Sequence, residues 1–366
     1  MDILNIYIGT KLNYDHPLNL TRKLLPIVFV AAGENVPEDW GHTREVKFDD
    51  VNVRIYYPKT VETDKLYPGM VYYHGGGFIL FSIDTYDKVL RRLAMNANIV
   101  IVAVEDSLYR LAPEFPFPVP VQDCIKATEY LMENADKFNI DARKIGVAGD
   151  SAGGNLAAAV SLHLTNLRPT NTYPIRFQGI IYPMIQSFDF LTPSYQTNAD
   201  AMPTMMNPGA IIDAWVKYWS GDANYDITPF WTNKHITQQL QKSKYAKYLD
   251  YKQLPTKYHI TNPNLHNHEE NKTLSNEYQK VMLNPLYSPL MADDVSNLPP
   301  AFILTAEHDV LRDDGLFYAK RLQDSNVPVN LLHIENGYHA MFSFTRLKIG
   351  RKIHRQFQTF IENNIK

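Results

Sequence analysis

Ser151 lies in the run Gly149-Asp150-Ser151-Ala152-Gly153-Gly154-Asn155, and its glycine-x-serine-x-glycine spacing is that of a nucleophile elbow. The apolar run Ile145, Val147, Ala148 before it reads as a buried strand. Leu156, Ala157, Ala158 and Ala159 after it read as a helix. A strand that turns sharply into a helix strains the serine backbone, so its neighbours must be small. Gly149, Ala152 and Gly153 meet that need. The turn lifts the serine hydroxyl above the sheet edge, where free N–H groups and the helix dipole favour a developing oxyanion.

A serine hydroxyl needs a base to take its proton. The sequence holds 12 histidines. His163 is on the elbow helix, and twelve residues at ~1.5 Å each put it ~18 Å along the axis. His333 falls inside a strand, His354 on the last helix, and His308 at a strand end beside Asp309. His339 follows a strand in Glu335-Asn336-Gly337-Tyr338-His339, where Gly337 permits a tight turn. It is the histidine placed to reach Ser151 from the same sheet edge. An acid must fix the tautomer of that base and stabilise its imidazolium. Glu307, Asp309, Asp313 and Asp314 all follow the penultimate strand. Asp309 is preferred because it lies just past the strand end, with Glu307 as the fallback. Asp313 and Asp314 suit the first turn of the next helix. The order Ser151, Asp309, His339 is that of α/β-hydrolases.

His74-Gly75-Gly76-Gly77 ends an earlier apolar strand. Consecutive glycines expose backbone N–H groups to a substrate oxygen, so the oxyanion donors are sought among Gly75, Gly76, Gly77 and Ala152. His74 and Asp150 flank these motifs and are read as supporting residues, His74 by holding its loop through hydrogen bonds. His266-Asn267-His268-Glu269-Glu270 could ligate a metal, but it has no partner cluster and reads as a solvated loop. No metal and no cofactor is expected.

The elements that position this chemistry alternate. Strands are expected at Val51–Tyr57, Pro68–Tyr73, Ile99–Val104, up to the elbow, at Phe177–Tyr182, Pro300–Thr305 and Val329–Ile334. Helices are expected at Tyr86–Met95, Val121–Phe138, Gly315–Gln323 and Phe342–Ile361. That alternation predicts an α/β fold with a mostly parallel sheet covered on both faces. It stops between Met184 and about Tyr287, a Tyr-, Asn-, Gln- and Lys-rich stretch with one clear amphipathic helix, Pro208–Tyr218. The reading is a catalytic core at 46–183 and 289–366, with a largely helical cap at 1–45 and 184–288. The cap falls on the ligand-binding edge of the sheet.

The chain has 366 residues and a net charge of −3, which gives no reason to expect nucleic acid or an anionic membrane as partner. Its 23 Tyr and 17 Phe suggest a deep aromatic pocket or a sticky cap. Cys124 is the only cysteine, so no internal disulfide forms, and a buried inert thiol is expected. Leu24–Ala32 is apolar but too short to span a bilayer. Asn19 and Asn271 begin glycosylation patterns that matter only in the secretory path. No charged motif is expected to face the elbow, which favours an uncharged, apolar acyl group.

The combined motifs resemble the hormone-sensitive-lipase-like serine esterases. They are His74-Gly75-Gly76-Gly77-Phe78, Tyr109-Arg110-Leu111-Ala112-Pro113-Glu114, Gly149–Asn155, Asp309–Gly315 and Gly337-Tyr338-His339. Pro193-Ser194-Tyr195-Gln196, Asn284-Pro285 and Ser288–Asp294 make the chain most similar to the arylacetamide deacetylase and neutral cholesterol ester hydrolase group. The resemblance runs from about Val46 to the C-terminus. It implies an α/β-hydrolase fold, no cofactor, and hydrolysis of small-molecule carboxylic esters, sometimes arylacetamides, with Ser151, Asp309 and His339 as triad. Membrane relatives carry an N-terminal signal-anchor that is not seen here. The chain as it stands is therefore read as cytoplasmic, with endoplasmic-reticulum association and peripheral membrane contact implied only by the resemblance. Asp106-Ser107-Leu108 lengthens one motif, and Phe81 stands where the family has glycine. Two competing readings are a lipase acting at a lipid surface, which requires an exposed apolar cap helix, and a non-catalytic receptor, which would lack the base histidine.

Overall fold

A computed structural model describes residues 17–37, 40–59, 61–62, 65–104, 110–167, 173–201, 206–260 and 269–366. Eight strands form one sheet in the order β1-β2-β4-β3-β5-β6-β7-β8. They are β1 (Thr43–Phe48), β2 (Val51–Tyr56), β3 (Tyr67–Tyr73), β4 (Val100–Val104), β5 (Ile140–Asp150), β6 (Gln178–Ile181), β7 (Ala301–His308) and β8 (Val329–Tyr338). β1 and β2 pair antiparallel, and β2 joins β4 antiparallel. From β4 to β8 every pairing is parallel.

The central strands are apolar on both sides because helices cover both faces. Val71, Tyr73, Val147 and Ile303 pack into one core with Val121, Leu156 and Phe317. Met70, Tyr72, Ala148 and Leu304 pack into the other with Leu90, Phe357 and Ile361. Neighbouring residues of one strand thus enter opposite cores, as the period of two requires. The helices of the first core include α3 (Val119–Asn134), α4 (Ala152–Leu162) and α8 (Arg312–Asp324). The second core is closed by α1 (Pro17–Ala32), α2 (Ile83–Ala97) and α9 (Lys348–Asn364). Between β6 and β7 the chain leaves the sheet for α5 (Pro193–Thr197), α6 (Pro208–Ser220), several short turns of helix and α7 (Lys272–Met282).

The order of elements follows the sequence expectation, with four differences. β1 starts at Thr43, so the expected boundary at residue 46 cuts a strand. Only Phe48 of β1 is buried, and an edge strand with polar faces carries no apolar alternation to read. The last helix begins at Lys348, not Phe342. Phe342 is instead a buried loop residue stacked on His354, with centroids 4.4 Å apart. α7 was not expected, although Asn271 caps it by accepting from the Leu274 amide at 3.0 Å. Finally, the tyrosines and tryptophans of the insertion pack on one another. Tyr218 stacks on Phe78 at 3.9 Å and on Tyr287 at 5.2 Å, and the Tyr287 hydroxyl donates to the Trp215 carbonyl at 2.6 Å. This stack seats α6 on the glycine loop after β3. Cys124 lies buried in α3, and burial pushes its thiol pKa well up. Tyr109, Asp106–Leu108, Met202, Met205 and His266–His268 lie outside the described residues.

Candidate active site

The serine stands where β5 ends and α4 begins, with φ +57° and ψ −120°. This is a strained conformation for a residue with a Cβ, and the surroundings hold it. The Ser151 amide donates to Ile181 of β6 at 2.8 Å, and its carbonyl accepts from Met184 at 3.2 Å. A Cβ at Gly153 would stand 2.0 Å from the Tyr73 carbonyl, so only glycine lets α4 approach β3 this closely. Asn155, one turn on, donates to the carbonyls of Met184 and Tyr287, each at 2.8 Å. The elbow is thereby tied to both ends of the insertion.

His339 follows β8 directly, and its Nδ1 donates to Asp309 Oδ2 at 2.8 Å. Both side chains are buried. Asp309 Oδ1 accepts from the Leu311 amide at 2.9 Å. The Tyr182 ring packs on the imidazole, centroids 4.4 Å apart. Ser151 and His339 line one cleft of about 690 Å³, counting its open mouth.

The other acids are held elsewhere. Glu307 binds the Tyr258 hydroxyl, His333 Nε2 at 2.9 Å and Lys257 at 3.1 Å. Partial burial opposes ionisation there, yet these donors bring the Glu307 carboxyl down to about 2. Asp313 accepts from the Ser194 amide at 2.6 Å and from Arg312 at 2.8 Å. Asp314 accepts from Gln186 at 3.0 Å. Burial pushes its carboxyl well up. The sequence reading missed Asn198, whose amide donates to the Glu307 and Asp309 carbonyls at 2.9 Å each and so pins the acid-bearing loop. A lone asparagine in a polar insertion carries no signal for that role.

Gly76 (φ +117°) and Gly77 (φ +64°) have backbone angles that suit glycine, and both line the cleft with Ser151. Gly75 does not serve as a donor to the cleft. Its amide donates to Asp150 Oδ1 at 3.0 Å and lies 3.1 Å from the Tyr86 hydroxyl. Gly76, Gly77 and Ala152 remain as candidate donors. His74 Nδ1 donates to the Gly75 carbonyl at 2.7 Å. Burial lowers its pKa to about 4, against that carbonyl's opposing pull, so it is neutral at pH 7 and holds the loop. Asp150 also accepts from Tyr72 at 2.8 Å and Tyr86 at 2.9 Å. Burial raises its pKa above the usual carboxylate value, while these donors and the charge of His339 pull it down.

The cleft walls come from three regions. α1 supplies Leu25 and Phe29, the glycine loop supplies Ile79 and Phe81, and α6 supplies Ile211 and Ala214. Arg22 fixes α1 by donating to Ile79 and Ala112 carbonyls and to Glu114. Phe81 has φ +70° and packs on Phe29 with centroids 4.5 Å apart. A glycine would be at ease in that backbone, whereas the phenylalanine adds a ring contact with Phe29. No charged motif was expected to face the elbow, and the charged side chains in the described lining are Asp150 and, from α6, Asp213. Among the described residues no group of three or more His, Cys, Asp or Glu is arranged for a metal ion.

Fold and site together define a hydrolase of the nucleophile-elbow type, and comparison with known proteins agrees. The model of a family described as having the alpha/beta hydrolase fold matches residues 70–243 and 238–343, and the chain belongs to that family. Neutral cholesterol ester hydrolase 1 of Bos taurus is 33% identical over 96% of this chain and 88% of its own length. Arylacetamide deacetylase of Bos taurus is 34% identical over 88% of this chain and 80% of its own length. Among solved structures, an esterase of Pyrobaculum calidifontis superposes with a TM-score of 0.71 at 27% identity, covering 99% of this chain and 98% of its own. The thermostable metagenomic carboxylesterase EstE1 superposes with a TM-score of 0.71 at 26% identity over 95% and 98%. The chain is a serine ester hydrolase of this family.

Proposed function

We propose that Ser151, His339 and Asp309 hydrolyse carboxylic esters through an acyl-enzyme. The observation that carries this reading is the 2.8 Å bond from His339 Nδ1 to Asp309, in a cleft shared with the strained Ser151. That bond leaves Nε2 unprotonated in the neutral ring, ready to accept a proton. The Ser151 oxygen adds to the substrate carbonyl as its proton passes to Nε2. The tetrahedral oxyanion takes hydrogen bonds from Gly76, Gly77 and Ala152. Collapse expels the alcohol, which leaves with the proton from the imidazolium. Water, deprotonated by the same histidine, then splits the acyl-enzyme to carboxylic acid and free serine. His74 and Asp150 hold the glycine loop. The presence of His339 weighs against the receptor reading.

The apolar walls favour short- to medium-chain acyl groups, and the relatives' names extend the reading to arylacetamides, which hydrolyse more slowly because an amine leaves less readily. Residues 43–183 and 289–366 act as catalytic core, with β1 whole within it, and 184–288 with the residues before β1 act as cap. The substrate is a small molecule, with no role for nucleic acid, metal or cofactor. Turnover of p-nitrophenyl esters from acetate to palmitate, with an arylacetamide alongside, tests this. Rates should peak at short to medium chains, and a maximum at palmitate would overturn the preference.

One observation favours a second reading, ester hydrolysis at a lipid surface. α1 lines the cleft with Leu25 and Phe29 but exposes Leu24, Ile27 and Val28, with Ile27 63% exposed. A surface helix that is apolar on its outer side also suits a bilayer interface. Among the described residues no helix is long and apolar enough to cross a membrane. In this reading α1 makes a peripheral contact, on a cytoplasmic enzyme or on one at the endoplasmic reticulum. The same acyl chain offered as monomer and as emulsion separates the readings. A sharp rise in rate above the solubility limit, abolished by Ile27→Asp, would establish the lipid-surface enzyme. A smooth saturation curve would exclude it.

A further inference from the structure

The geometry points to Asp213 as a selectivity residue that makes the cleft prefer esters carrying an ammonium group on one arm. The inference rests on the serine-esterase reading above and adds a charge preference to its apolar substrate. Two carboxylates, Asp150 and Asp213, stand in the described lining of the cleft, and no lysine or arginine does. Asp150 is fully committed to Tyr72, Tyr86 and Gly75. Asp213 is not. Its Oδ1 binds Lys217, one helical turn on, while its side chain stays 30% exposed and that of Lys217 only 8%. Lys217 is buried and is not among the described residues lining the cleft, whereas Asp213 is.

Position and surroundings add to this. Asp213 precedes Ala214, whose methyl would sit 3.0 Å from a Cβ at Gly77, so the carboxylate is one residue from the wall over the oxyanion loop. Phe29, Phe81 and Tyr86 line the same cleft. Aromatic side chains beside a carboxylate, with no lysine or arginine in the described lining and the Lys217 partner on one carboxylate oxygen only, are the chemistry that binds quaternary ammonium groups. An anionic substrate arm would meet the same carboxylate unfavourably. The sequence conceals this, because an acid four residues before a lysine in a helix reads as a solvated surface pair.

Pairs of esters that differ only by a charged atom test the inference on either arm. Choline butyrate is compared with 3,3-dimethylbutyl butyrate, and p-nitrophenyl 4-(trimethylammonio)butyrate with p-nitrophenyl 5,5-dimethylhexanoate. The readout is the ratio of kcat/KM, charged over neutral, so a general loss of activity cancels. In one pair the wild-type ratio should exceed one. Asp213→Asn should lower that ratio roughly tenfold, equivalent to about 1.4 kcal/mol, and Lys217→Met should raise it. If Asp213→Asn fails to fold, Lys217→Met and inhibition of the wild type remain. Phenyltrimethylammonium should inhibit more strongly than tert-butylbenzene. A ratio unmoved by both substitutions in both pairs, or equal inhibition by the two compounds, overturns the inference. Failure of the wild type to hydrolyse even the neutral esters would instead strike at the esterase reading.

Discussion

Replacing Asp150 with asparagine probes how the nucleophile strand and the oxyanion loop are joined. The carboxylate accepts from Tyr72 and the Gly75 amide on Oδ1 and from Tyr86 on Oδ2. An amide oriented to keep the first two bonds turns an NH2 toward Tyr86, whose hydroxyl must rotate away. One charge-assisted bond is lost, a cost of about 1.5–3 kcal/mol. Relief from burying a carboxylate that no lysine or arginine pairs offsets part of it. Net destabilisation should be about 1–2 kcal/mol. The effect on rate follows from Gly75, which precedes the two donor glycines. An oxyanion donor is worth about 3 kcal/mol, so loosening the loop by half a donor slows kcat about tenfold. Steady-state kinetics on a short p-nitrophenyl ester and thermal unfolding across pH measure both effects. Burial raises the carboxyl pKa in the native state, so the native state holds that proton longer than the unfolded chain does. The resulting stability is present below the unfolded carboxylate value of about 3.9 and lost as pH rises through the raised native value. Asp150→Asn has no such loss, so its deficit in Tm relative to wild type should shrink as pH rises from about 4 toward neutrality. A kcat within twofold of wild type, or a deficit that grows with pH, would refute the reasoning.

Asp309→Asn should cost about four orders of magnitude in kcat, because the histidine takes the wrong tautomer. Glu307→Gln should leave kcat within about tenfold while loosening the Tyr258 and His333 contacts, and the reverse ranking in steady-state kinetics would reassign the acid. Phe81→Gly relieves a left-handed backbone worth about 1–2 kcal/mol but removes a ring packed on Phe29. It should lower stability by about 2 kcal/mol net and shift acyl preference toward bulkier groups. Unchanged acyl preference across the p-nitrophenyl series would show that the ring does not bound the acyl site.

The triad candidates were legible because each stands at the carboxyl end of a strand whose apolar run is unmistakable. Topology then brings Ser151 after β5, Asp309 after β7 and His339 after β8 to one edge. Choosing Asp309 over Glu307, Asp313 and Asp314 needed only its place relative to the strand end. What the sequence hid depends on distant partners. Gly75 looked like its two neighbours until Asp150 and Tyr86 were found at its amide. Asn198, Tyr72 and Tyr86 reach the site from remote segments, and no spacing announces them. The Tyr and Phe counts suggested a deep aromatic pocket or a sticky cap; Phe29, Phe81 and Tyr86 line the cleft, while Trp215, Tyr218 and Tyr287 pack within the cap. β1 was missed because an edge strand shows too little buried surface to leave a pattern.

Intact-mass measurement after treatment with a fluorophosphonate tests the central claim most directly. The account predicts one adduct on the wild-type chain, mapped to the peptide bearing Ser151, with loss of ester hydrolysis in proportion to labelling. Ser151→Ala should fold with an unchanged melting transition, take no label and lose nearly all turnover. Labelling at another residue, or substantial hydrolysis by a folded Ser151→Ala protein, would contradict it.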